Sequence, residues 1–322
     1  MNNRVGCAGL SLVELLITLA LASILMVAIG ELYLRSKASM ATAQQLAELR
    51  ENGRYALQVI AADIRRAGFL GEARPPVGPL LIEGLPFPLH CDKTTAWGRA
   101  LQEPLAALND GNRDSQHDYR ACIPGPDYLR GDVLAVRYGT PVASTPWRSA
   151  TNAVTPYLFA SLTQPRILSG NEINNALARE TGTSIYALSA FAYHIAPAQQ
   201  VDNSCTENDY PALARRGLDN RGLPRREEIT EGIEDMQVQI GVDLDHDGSV
   251  DIFLEPDQAR QEHAIRAVRI WLLARARCSE AGYHNTQRYE LGMRIFVPND
   301  HYRRELFSLT VAVRGVDGVY LP

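Results

Sequence analysis

Charge is absent from Leu10 to Gly30 except at Glu14, and the other positions in that run are mostly aliphatic. Wound as a helix at 1.5 Å per residue the run is about 31 Å long, which matches a bilayer core of about 30 Å. The pattern then changes without a break. From Glu31 to Ala67 there is no proline, and Leu46, Leu49, Gly53, Ala56, Ile60, Ile64 and Ala67 recur at spacings of three and four. Such spacing is one apolar stripe on an amphipathic helix. Gly68 and Gly71, followed by Pro75 and Pro76, supply the stop. The pattern predicts one helix of about 85 Å, apolar all round in its first half and one-faced in its second.

Beyond the helix the period falls to two. Leu134, Val136 and Tyr138 alternate with Val133, Ala135 and Arg137. Val268, Ile270, Leu272 and Ala274 share one face, with Arg269 and Arg275 on the other. Phe307, Leu309, Val311 and Val313 alternate with Leu306, Ser308, Thr310 and Ala312. One greasier face per strand suits an antiparallel sheet packed on the helix. The Pro- and Gly-rich stretch EARPPVGPLLIEGLPFPLH reads as irregular loop. The expected fold is α+β: a long stalk helix packed on an antiparallel sheet domain with large loop insertions.

Composition changes little. The chain has 322 residues and a formal net charge of −5, with its basic residues dispersed, so nucleic acid is not expected as a partner. A glutamate inside an apolar span is costly, about 2.5–3.5 kcal/mol on insertion scales, and is therefore a functional candidate. The seven histidines are scattered. Phosphate-binding loops, nucleophile elbows and zinc-type cysteine pairs are missing, so no residue supports an enzymatic reading. Trp97, Trp147 and Trp271 are expected in packing. Arg130-Gly131-Asp132 spells an adhesion tripeptide but directly precedes a predicted strand.

DLDHDGSVD, residues 243–251, is the remaining candidate site. Asp243, Asp245 and Asp247 alternate, Gly248 permits a sharp turn, and Ser249 and Asp251 occupy the seventh and ninth positions of a calcium loop. The twelfth position is Leu254 rather than Glu, and Glu255 comes one residue late. Alternating Met236, Val238, Ile240 and Val242 before the loop, and Val250, Ile252 and Leu254 after it, predict strand–loop–strand. Two readings stay open, a Ca2+ clip and a solvated acidic turn.

The leader MNNRVGCAG is short and polar, contains Arg4 and ends in Gly9. A small residue before the apolar run and a glutamate five residues on resemble the prepilin leader of type IV pilins and type II secretion pseudopilins. The resemblance implies cleavage by a membrane prepilin peptidase after Gly9 and N-methylation of Leu10, where most members have Phe. It gives Glu14 the role of an assembly charge, neutralised in lipid by the new amine of Leu10 or of a neighbouring subunit. ENGRYALQVIAADIRRAGFLG, residues 51–71, is similar to the stalk end of the PilW family of minor pilins. RGDVLAVRYG from Arg130, ITEGIEDMQVQIGVDLDHDG from Ile229 and RRELFSLTVAVRG from Arg303 fit the same family.

The resemblance divides the chain into a removed leader (1–9), a transmembrane stalk (10–30), an amphipathic stalk (31–70) and a β-rich domain (71–322). It implies a single-pass inner-membrane protein with a periplasmic C-terminal domain that passes to the pilus or cell surface. Implied partners are other minor pilins and the major pilin, the prepilin peptidase, the inner-membrane assembly platform and a tip adhesin. The implied function is a minor pilin that primes assembly or sits in the tip complex, supporting adhesion and twitching motility. The alternatives are a type II secretion pseudopilin and a pilin-anchored adhesin or ligand-binding module. Once Cys7 leaves with the leader, Cys91, Cys122, Cys205 and Cys278 remain, allowing three connectivities. Export favours bridges, and the expected pairs are Cys91–Cys122 and Cys205–Cys278, with buried free thiols as the alternative.

Overall fold

The computed structural model describes residues 11–71, 81–83, 104–110, 123–142, 155–160, 165–177, 183–199, 210–218, 224–259 and 264–313. The chain divides into two compact units, Met1–Glu48 and Leu49–Pro322.

Helix α1 runs from Leu12 to Arg66. Its start is a capping box: the Ser11 hydroxyl accepts the Val13 N–H at 3.3 Å, and the Glu14 carboxylate accepts the Ser11 N–H at 3.0 Å. From Leu12 to Leu34 every large apolar side chain is more than half exposed. The helix ends within a residue of its predicted stop, where Gly68 takes a φ of +75° that other residues adopt at a cost. The exit is pinned to the sheet: the Gly68 N–H donates to the Arg137 carbonyl at 2.9 Å, and the Gly139 N–H to the Phe69 carbonyl at 2.7 Å.

In the second unit, α1 buries Leu49, Gly53, Ala56, Leu57, Ile60, Ala61, Asp63 and Ile64. This is the predicted stripe, wider by Leu57 and Ala61 and holding one unpredicted carboxylate. Strands β1 (Leu81–Glu83), β2 (Leu105–Leu108), β3 (Val133–Pro141), β4 (Pro156–Ala160) and β5 (Arg166–Ser169) lie before the short helix α2 (Gly170–Leu177). Strands β6 (Ser184–Pro197), β7 (Pro211–Leu218) and β8 (Pro224–Glu231) complete an eight-stranded sheet. The long β6 organises it, pairing with β3 along one edge and with β4 and then β7 along the other.

A four-stranded antiparallel sheet of order β10-β9-β11-β14 is built from β9 (Ile233–Asp243), β10 (Ile252–Leu254), β11 (Ala264–Arg275) and β14 (Arg304–Ala312). Strands β12 (Tyr289–Leu291) and β13 (Arg294–Phe296) form a separate hairpin. One core joins all three layers. Ala56, Ile60 and Ile64 of α1 meet Val136, Tyr138, Tyr193 and Ile195 of the large sheet and Val238, Ile270, Leu272 and Val311 of the small one. Gly53 lets β14 come close to the helix, since a Cβ there would lie 2.3 Å from the Phe307 ring.

The fold is α+β, as expected, with two differences. Leu81–Glu83, inside the stretch read as loop, is a strand paired parallel to β5, so the large sheet is not wholly antiparallel. Three residues among prolines and glycines are too few to show a period. Along β3 the alternate face is buried too, with Val133, Ala135 and Arg137 each under 5% exposed.

Candidate functional site

Three places carry chemistry. The first is the N-terminal end of α1. Gly9 and Leu10 lie outside the described residues, while Glu14 sits in the first turn with its carboxylate on the Ser11 N–H. A Ser-x-x-Glu capping box was legible in Ser11-Leu12-Val13-Glu14, and reading Glu14 only for its charge missed it. The helix satisfies the composition and length of a membrane span, with a mean hydropathy of 2.6 over its most apolar window.

The second place is Asp63, near the other end of the same helix. Tyr138 of β3 donates its hydroxyl to Oδ1 at 2.7 Å, and Tyr193 of β6 donates its hydroxyl to Oδ2. Arg215 of β7 donates to Oδ2 at 3.2 Å and is itself held by Glu227 at 2.8 Å. One carboxylate thus ties the stalk to three strands of the large sheet. Burial, then the neighbouring Asp63, pushes the Tyr138 phenol up to about 12 and Tyr193 higher still. Burial works against charge on Arg215, but its bonds to Glu227 and Tyr193 more than offset that and raise it.

Asp132, the last residue of the adhesion tripeptide, is fully buried. Its carboxylate accepts the Val238 N–H at 2.7 Å and the Asp110 N–H at 3.1 Å. Burial pushes it up to about 8 against those two bonds. The tripeptide is a joint between β3 and β9, and no adhesive carboxylate is presented there. Similarly, Arg304, also buried, is clamped between Glu234 and Asp300, with 2.7 Å contacts to the latter. Trp271 packs beside Leu273, Tyr289 and Leu291, as expected of a packing residue. Cys278 is disulfide-bonded. Cys91, Cys122 and Cys205, and so the expected pairs, lie outside the described residues, as do Trp97 and Trp147.

The third place is the β9–β10 turn, framed by strands as the alternation predicts, with Ile252 opposite Val242. Asp243, Asp245 and Asp247 each place a carboxylate oxygen within 4.8 Å of the others. Asp243 is fully buried, and its Oδ2 accepts the Gly248 N–H at 3.0 Å and Arg266 Nε at 2.9 Å. Asp247 accepts both the N–H and the hydroxyl of Ser249 at 2.7 Å, and these bonds lower its pKa. Asp251 spends one oxygen on the Leu244 N–H at 2.6 Å, within the turn. Glu255 is engaged elsewhere, accepting from Gln239 Nε2 at 2.7 Å.

A stalk helix packed on β-sheets, with an apolar N-terminal half fit for membrane anchoring, defines the class of protein. Within that class, the family model for Type IV Pilus-assembly protein W, PilW, matches residues 193–315, which supports a PilW-family protein and implies a function related to type IV pilus assembly. The match runs from the middle of β6 past β14 and includes Tyr193, Arg215 and the acidic turn. No curated protein and no solved structure matches the chain.

Proposed function

We propose that the chain is a minor pilin of the PilW type that primes pilus assembly and takes a place in the tip complex. The observation that carries this reading is the contrast within α1. Its N-terminal residues expose an apolar surface around one carboxylate, while its C-terminal residues are packed into a domain of which the PilW model matches residues 193–315. An exposed apolar helix of this length is stable in lipid or among other such helices, and both settings belong to pilus assembly.

In this proposal a prepilin peptidase cuts after Gly9, and Leu10 becomes the methylated N-terminus. The new cationic amine lies next to Ser11, whose N–H already holds Glu14 at 3.0 Å. The amine, in the same or an adjacent subunit, replaces a neutral donor by a charged one, roughly doubling the strength of the bond. The chain then resides in the inner membrane with its sheets in the periplasm and passes to the pilus with other minor pilins and the major pilin. The test is mass spectrometry of the membrane-extracted protein, together with affinity co-purification. The expected result is Leu10 at the N-terminus carrying one methyl group, with other minor pilins co-purifying. An intact Met1 in cells with an active prepilin peptidase would overturn it.

A further inference from the structure

We infer that the β9–β10 turn is a site for one calcium ion, held by the carboxylates of Asp243, Asp245 and Asp247. Three carboxylates converging to within 4.8 Å do not by themselves make a site, because a surface turn can leave them to water. Asp243 separates the two readings. It is fully buried: Oδ2 takes the Gly248 N–H and Arg266, and the His246 N–H also favours the charged carboxylate, while Oδ1, equally buried, accepts no hydrogen bond among the described residues. A buried carboxylate oxygen without a donor is unfavourable unless a cation completes it. A cation on Oδ1 supplies the missing partner, and Asp245 and Asp247 each bring a carboxylate oxygen within 4.8 Å of one of Asp243.

Charge points the same way. Asp243, Asp245, Asp247 and Asp251 fall within nine residues, and Arg266 is bonded to one of them. The turn also orients its own ligands, because Asp245 accepts the Asp247 N–H at 3.1 Å and Asp247 accepts the Ser249 N–H. Oxygen-only donors in a loop select a hard cation and disfavour zinc or copper. Calcium suits such a turn better than magnesium, which demands near-ideal octahedral geometry and dehydrates reluctantly.

The structure also sets the strength. The bidentate glutamate of high-affinity loops is missing, since residue 254 is leucine and Glu255 is engaged by Gln239. The site therefore belongs with the extracellular modules, whose dissociation constants are on the order of 10⁻⁴ to 10⁻³ M. Such a site fills outside the cytoplasm and stays empty within it. A bound ion would link the end of β9 to the tip of its turn, in the middle of the region matched by the family model.

The test is calorimetric titration of the full-length protein in detergent with calcium chloride, repeated with magnesium chloride, alongside thermal melting with millimolar calcium or with chelator. Asp245→Ala and Asp247→Ala are the informative variants, because both side chains are exposed and neither holds a strand. Asp243→Asn would also disturb Arg266. The expected result is one calcium per chain, a higher melting temperature in calcium than in chelator, and binding about tenfold weaker or worse in each variant. Each variant is compared with itself in calcium and in chelator, so that any change in the ion-free turn drops out. Absence of saturable calcium uptake, uptake unchanged in both variants, or equal uptake of magnesium would overturn the site.

Discussion

Two of the five carboxylates on helix α1 are treated in opposite ways by their neighbours. Glu14 stands in a mostly aliphatic run with exposed surroundings, and among the described residues its one donor is the backbone N–H of Ser11. Asp63 stands in a mixed sequence, yet is buried and receives Tyr138, Tyr193 and Arg215. The comparison teaches that sequence context is a poor guide to which charge holds a fold together. Asp63 has its partners inside the chain and acts in folding. Among the described residues Glu14 has one donor, and in the proposed function it acts between chains.

The largest effect should come from Asp63→Ala, which leaves two buried tyrosine hydroxyls without their acceptor and Arg215 with the Glu227 carboxylate alone. Removing one partner of a buried pair costs about 3–5 kcal/mol. For a domain of this size that lowers the melting temperature by on the order of 10 °C. Asp63→Asn, which still offers one oxygen, should lose less. Equal melting of wild type and Asp63→Ala would reduce the network to ornament.

Next is Gly53→Ala. On an exposed helix face this change stabilises by about 0.5–1 kcal/mol. Here the added Cβ meets the Phe307 ring, and overpacking typically costs about 1–3 kcal/mol, so the sign should reverse. Adding Phe307→Leu should restore the ordinary sign. A stabilised single variant would mean that the stalk and β14 are less closely packed than the structure has them.

The smallest effect asks whether pairing or burial sets the tolerance for charge. His194, next to Tyr193 on β6, is fully buried, and its Nε2 accepts or donates no hydrogen bond among the described residues. Burial lowers it to about 4, helped by Arg226 and Arg216 and opposed by the Ala192 carbonyl and Asp127. With the folded value below the unfolded one, stability is complete above about pH 6.5 and is lost as pH falls toward 4. Between pH 6 and 5 the loss should be about 1 kcal/mol. Asp132, raised to about 8, contributes a slope of opposite sign, so the reading is the difference between wild type and His194→Gln. Parallel pH profiles for the two proteins would contradict the assignment.

How much was legible follows from the same contrast. The stalk, its stop at Gly68 and the strands around Val136, Ile270 and Leu309 were open to reading, because burial on one face imposes a period. The acidic turn was legible as spacing. Asp63 was not, although it lies in the quoted stretch ENGRYALQVIAADIRRAGFLG, because its partners lie 75 to 152 residues away. Arg304 has Asp300 four residues before it, but its other partner, Glu234, lies 70 residues away and gave no local signal. Most of the large sheet was missed as well. The strands β4, β5, β7 and β8 are short or charged, and PRREEITE of β8 shows no apolar alternation.

The division of labour between the two carboxylates is tested most directly with Glu14→Gln, in pilus counts and in melting of the full-length protein. Glutamine preserves the capping box, so helix start and stability should not change. The account predicts a wild-type melting temperature, a processed N-terminus at Leu10 and strongly reduced piliation, with a weaker defect for Glu14→Asp. Normal pilus number with undiminished co-purification of other minor pilins would contradict it and leave Glu14 as a capping residue alone.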